Sequence, residues 1–130
     1  MVFVDTNVFL RFLLADNNKQ SREARYLFEQ ASEGKTIVFT SVIVFFEIYW
    51  LFKSLFKKNK EELCLILKKL LKMRFVIFAE REIFEKAINI YQETNLDLED
   101  SYNLAYARSN NATGFKTFDK ILSRKFDETK

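Results

Sequence analysis

The chain has 130 residues, 48% of them hydrophobic and 30% charged, with a formal net charge of +3. That balance suits one folded domain with a core large enough to need no disulfide or structural metal, and it excludes a disordered chain. Histidine is absent and cysteine occurs once, at Cys64. This excludes Ser-His-Asp and Cys-His nucleophile systems and the common zinc sites, allows no internal disulfide, and points to a reducing cytoplasm.

Residues 1–4 form an apolar run that predicts a strand, followed by a helix over 7–14 and a second over 18–33 that Gly34 closes. Residues 36–40, rich in β-branched side chains, predict a second strand. The next helix, 41–56, is apolar on nearly every side. Residues 61–73 place Leu63, Ile66, Leu67, Leu70 and Leu71 at helical spacing. A third strand is expected at 75–78, helices at 81–93 and 98–108, a fourth strand at 115–118 after a turn at 110–114, and a last helix at 119–126.

Strands separated by helices need crossover connections, and their apolar runs read as strands buried on both faces. The expected fold is therefore a single α/β domain over residues 1–130. It would be a three-layer α/β/α sandwich around a mainly parallel sheet of four to five strands. The apolar stretch 36–52 is nearly long enough to cross a bilayer, but Thr40-Ser41 read as a strand end and a helix N-cap, and Glu47 interrupts it. No membrane partner is expected. The run 1–4 continues into Asp5 and Arg11, so it does not read as a signal peptide.

Charge is unevenly spread. Residues 53–74 hold eight basic side chains against Glu61 and Glu62, a window of +6 that leaves −3 for the rest. Such a face suits a polyanion such as RNA, with Lys53, Lys57, Lys58 and Lys60 as candidate contacts, and it equally suits two solvated helix faces.

In open α/β sheets, ligands bind outside the carboxyl ends of the strands. Asp5 directly follows the first expected strand and Asp119 the fourth. Glu47 lies nearly two turns into the helix after the second strand, and Asp100 lies in the first turn of its helix. Each has a plainer reading. Asp5 and Asp119 can cap helices, and Asp100 can complete a capping box begun by Asp97. Glu47 is harder to explain, because its helix neighbours leave no evident polar face and a buried lone carboxylate is costly. Four carboxylates in one cleft would repel unless a cation sat among them, and an all-oxygen set selects Mg2+ or Mn2+.

VDTN at the start, an isolated Glu in the helix after the second strand, DLEDSYNLAYA, and TFDKIL near the end together resemble the PIN domain. Within it they look most like the VapC-like toxin ribonucleases of toxin–antitoxin pairs, and the resemblance spans nearly the whole chain. It implies that Asp5, Glu47, Asp100 and Asp119 are catalytic and hold the metal, with Thr6, Asn7, Asp97 and Thr117 in support. Ser101 takes the position where the family usually has alanine. The resemblance further implies endoribonuclease activity, with Mg2+ or Mn2+ activating the attacking water. It also implies a cognate antitoxin protein as partner, and a homodimer is expected. A haloacid-dehalogenase-type phosphotransferase wants an acid two residues after Asp5, where this chain has Asn7, and a receiver domain fits no better. The alternative of a different class is a non-catalytic PIN-like module that binds RNA or protein.

Overall fold

The computed structural model describes residues 1–16 and 18–128. In chain order the elements are β1 (Val2–Phe3), α1 (Thr6–Leu14), α2 (Lys19–Ser32), β2 (Val38–Thr40), α3 (Val42–Ser54), α4 (Lys60–Leu71), β3 (Val76–Phe78), α5 (Arg81–Glu93), α6 (Leu98–Ser109) and α7 (Lys120–Glu128). The contacts divide the chain into two compact units, Met1–Glu80 and Arg81–Lys130.

The first unit holds a parallel sheet in the order β1-β2-β3. Its register sets Val2 opposite Val38, and Phe39 opposite both Phe3 and Ile77. The sheet is not buried on both faces as its apolar runs suggest. Val38, Thr40, Val76 and Phe78 point inward, whereas Phe3 and Ile77 are about half exposed, at 49% each. One face of β2 and of β3 therefore carries the packing, the alternation expected of a half-covered sheet, while both residues of the edge strand β1 are exposed. The buried face meets a cluster of phenylalanines. Phe45 of α3 stacks on Phe78 at 4.3 Å and 13°, and Phe9 of α1 lies 5.3 Å from Phe28 and 6.3 Å from Phe45. Such offset and tilted pairs add to the area these rings bury.

Local signals fix the helix ends. Asn18 caps α2 through Ser21 N–H at 2.8 Å, and Gly34 follows its end with φ +77°, a conformation that favours glycine. At α4 the Asn59 side chain accepts from Glu62 N–H at 2.9 Å while Glu62 accepts from Asn59 N–H at 3.1 Å, a full capping box. That backbone N–H, more than neighbouring Lys58, holds the Glu62 carboxyl below its usual range. Cys64 on the inner face of α4 is buried, and burial pushes its thiol up, which keeps it protonated and unreactive. Ser41 separates β2 from α3, and no helix among the described residues is long and apolar enough to cross a membrane.

The second unit is helical. α5 packs along α6, and Leu96, Leu104, Leu122 and Phe126 form its core. The fourth strand expected at 115–118 is absent. Phe115 turns into that helical cluster, 5.5 Å from Phe126, while Phe118 is 94% exposed. Lys116 and Phe118 therefore have no covered face to lie against, and the segment makes no ladder. The described sheet has three strands rather than four to five.

Candidate active site

Asp5 is placed by a strand end locked from two directions. Val4 N–H donates to the Phe39 carbonyl at 2.9 Å, and the Thr40 hydroxyl donates to the Val4 carbonyl at 2.8 Å. Val4 is wholly buried and Asp5 is exposed immediately after it. The Asp5 carboxylate caps α1, where Oδ1 accepts from Val8 N–H at 3.3 Å. Thr6 behind it is buried. Asp5, Asn7, Arg11, Gln20 and Glu23 line an open cavity of about 580 Å³ within the first unit. Arg11 pairs with Asp16 at 3.6 Å on its rim.

Glu47 corrects an expectation. It is exposed rather than buried. At about 100° per residue, Ile43, Glu47, Trp50 and Ser54 fall on one stripe of α3. All four are exposed, Ile43 by 53% and Trp50 by 41%. The stripe formed by these four residues is the face that α3 turns to solvent. Glu47 therefore suffers no large desolvation penalty. What remains unusual is its setting between two exposed apolar side chains.

In the second unit Asp97 and Asp119 lie near enough to Asp100 for their charges to act on it. Asp97 caps α6, its Oδ1 accepting from Asp100 N–H at 2.8 Å, and its carbonyl accepts from Ser101 Oγ at 2.8 Å. Ser101 is fully buried, so a small side chain at that position lets the first turn close on its cap. Asp119 caps α7, its Oδ1 accepting from Ile121 and Leu122 N–H at 2.9 and 3.0 Å. The Thr117 hydroxyl accepts from Asp119 N–H at 3.0 Å and sets the turn before it. Asp100 differs from both. Only its backbone N–H is used, so it does not complete a capping box, and its partly buried carboxylate accepts no hydrogen bond among the described residues. Burial raises its pKa, and the charges of Asp97, Asp119 and Glu99 raise it further.

Capping and ligation are compatible here. Each cap occupies Oδ1 alone and leaves Oδ2 without a donor among the described residues. Glu99, which sequence reasoning did not single out, has a buried Oε1 with no hydrogen-bond partner. The acid-rich run DLED was the available signal. This orphaned oxygen and the raised Asp100 suit a hard divalent cation. Among the described residues, however, no three acids stand together closely enough to hold one.

The basic candidates are dispersed in role. Lys53 donates to the Tyr49 hydroxyl at 3.3 Å and lies over its ring. Lys58 pairs with Glu62 at 3.5 Å, and Lys57 is exposed at φ +55°. Lys60 is half-buried at the start of α4 and has interactions of its own.

A search of curated proteins finds no match. The PIN domain family model matches residues 2–127. PIN domains are a nuclease-type fold, generally metal-dependent ribonucleases. With its parallel sheet, its acid-bearing helix N-termini and a match over almost its full length, this chain belongs to the PIN domain family.

Proposed function

We propose that the chain is an endoribonuclease dependent on Mg2+ or Mn2+, and that it serves as the VapC-like toxin of a type II toxin–antitoxin pair. Asp5, Glu47, Asp100 and Asp119 would hold the metal, which when bound would activate water and stabilise charge on the phosphate under attack. Thr6, Asn7, Asp97 and Thr117 would support them. The observation that carries this reading is Asp100, a half-buried carboxylate with no hydrogen-bond donor, whose pKa is raised first by burial and then by the charges of Asp97, Asp119 and Glu99. A protein that needed these acids only as caps would have no use for Asp100, because Asp97 already caps α6. The caps at Asp5, Asp97 and Asp119 hold each carboxylate in one rotamer, so little ordering remains when a cation arrives.

Purified chain incubated with RNA should cleave it in Mg2+ or Mn2+ and not in EDTA, and Asp5→Asn should abolish the cleavage. Absence of cutting by the partner-free protein, or equal cutting by Asp5→Asn, would sink the enzyme reading in favour of a non-catalytic binding module. The antitoxin and homodimer have their own test. Co-expression with a protein encoded beside this chain should yield a stable complex that no longer cuts, and the chain alone should sediment as a dimer.

A further inference from the structure

A second cavity, of about 340 Å³, lies within the helical unit between α5 and α6. Lys86, Asn89 and Ile90 line it from α5, and Ala105, Arg108 and Ser109 from α6. On each helix these are residues i, i+3 and i+4, which share a face. The cavity thus presents two cations, an amide and a hydroxyl over a floor of Ile90 and Ala105.

Arg108 is the unusual member. Its Nη2 donates to the Lys125 carbonyl at 3.2 Å, tying α6 to α7. Its Nε–H is buried without a hydrogen-bond partner. Neither Arg108 nor Lys86 has an ion-pair partner among the described residues. Native structures leave few buried donors unmet, and fewer on a charged group. Burial pulls the guanidinium below its ordinary pKa, yet an arginine stays charged at any physiological pH.

The guanidinium of Arg108 at the cavity wall, the Lys86 ammonium, the Asn89 amide and the Ser109 hydroxyl match the oxygens of a phosphate group. Along α6, Arg108 lies eight residues beyond Asp100, about 12 Å. That is too far to reach the same phosphate and suited to another on the same strand. We infer that the α5–α6 cavity is a phosphate subsite, in which Arg108 and Lys86 grip a backbone phosphate of the RNA away from the one that is cut. The inference rests on the nuclease reading above for its ligand, and on the cavity itself for its chemistry.

Two measurements on the full chain test it. Inorganic phosphate titrated into the protein should move the Arg108 Nε–H resonance with saturation. Binding of a fluorescent single-stranded RNA, followed by anisotropy in EDTA so that nothing is cut, should weaken about tenfold in Arg108→Gln. The salt dependence should become shallower by about one ion. Lys86→Gln, at an exposed position that folding does not need, should weaken binding about threefold and also flatten the salt slope. Phosphate binding with unchanged RNA affinity in both variants would assign the cavity to a free anion and overturn the subsite. No phosphate response, or no RNA binding by the wild type, would overturn it as well. A wild type that cuts RNA while Arg108→Gln and Lys86→Gln bind it equally well defeats the subsite alone. A wild type that cuts nothing defeats the nuclease reading.

Discussion

The two units place their acids by different means. In Met1–Glu80 a parallel sheet does the positioning: Asp5 stands at a strand end that the next strand grips from both sides, and Glu47 rides a stripe of the helix that follows. In Arg81–Lys130 there is no strand among the described residues, and helix caps, which at Asp5 only add to the strand end, do the placing alone. Asp97 and Asp119 are each oriented by N–H groups of a helix start, and Asp100 is left beside them without a donor. The lesson is that a sheet edge fixes where an acid sits, whereas a capped helix start fixes which oxygen stays available.

The sharpest way to test that comparison is kinetic. Asp5→Asn in the first unit and Asp100→Asn in the second should each lower RNA cleavage by at least ~100-fold, and the double variant should be little worse than either. Additive losses would mean that the two units contribute separately. Next in size are the cores. Phe45→Ala, which removes the ring stacked on Phe78, should cost about 3–5 kcal/mol, and Leu104→Ala in the helical unit about 2–4 kcal/mol, both read from urea midpoints. A single shared transition would show that the units unfold together, and two transitions would separate them.

Smaller effects distinguish the caps. Asn59→Ala should cost about 1 kcal/mol by removing the capping box of α4. The Glu62 part of that box has a definite pH dependence. Its folded pKa is lowered, so its contribution is present above the usual carboxylate pKa and is lost as pH falls through the lowered value. In Glu62→Gln this acid-side slope should vanish. Asp100 runs the opposite way. With its folded pKa raised, the native state binds more protons, and stability falls as pH rises from the usual aspartate pKa through the raised one. Asp100→Asn should therefore raise the melting temperature at pH 7 in EDTA by about 2 °C and abolish the upward shift that Mg2+ gives the wild type. An unchanged Mg2+ response would return Asp100 to a purely structural role.

Much of this was legible in the residues, for reasons that can be named. The helix over 81–93 is read correctly at both ends, and the caps at Asn18 and Asp97 mark true starts because a short polar side chain meeting orphan N–H groups is a local event. The parallel pairing of the strands follows from the crossover rule, whereas their order carries no local signal. The segment 115–118 failed because strand formation depends on a partner from elsewhere, and alternating apolar residues cannot announce that Phe115 is claimed by a helical core. Glu47 failed differently: its apolar neighbours were weighed in sequence order, whereas the helix turns Ile43 and Trp50 to the same outer side. The proximity of Asp119 to Asp100, nineteen positions earlier, has no local signature; the expected sheet rim and the family pattern are what bring them together. Arg108 carries no signal of its own in the sequence, because a lone arginine late in a helix is an ordinary favourable partner for the helix C-terminus.

The exposed stripe of α3 has an optical consequence. Trp50 is the only tryptophan in the chain, and it sits on that stripe about one turn from Glu47, its indole 6.0 Å from Phe46. Selective excitation of indole therefore yields emission from a single place, beside one of the four acids proposed to hold the metal. Quenching by Mn2+, a paramagnetic ion, would fall off steeply with distance and would read directly how near the cation binds. The same emission, watched after rapid mixing with RNA, would time the arrival of a strand at this face without any attached dye.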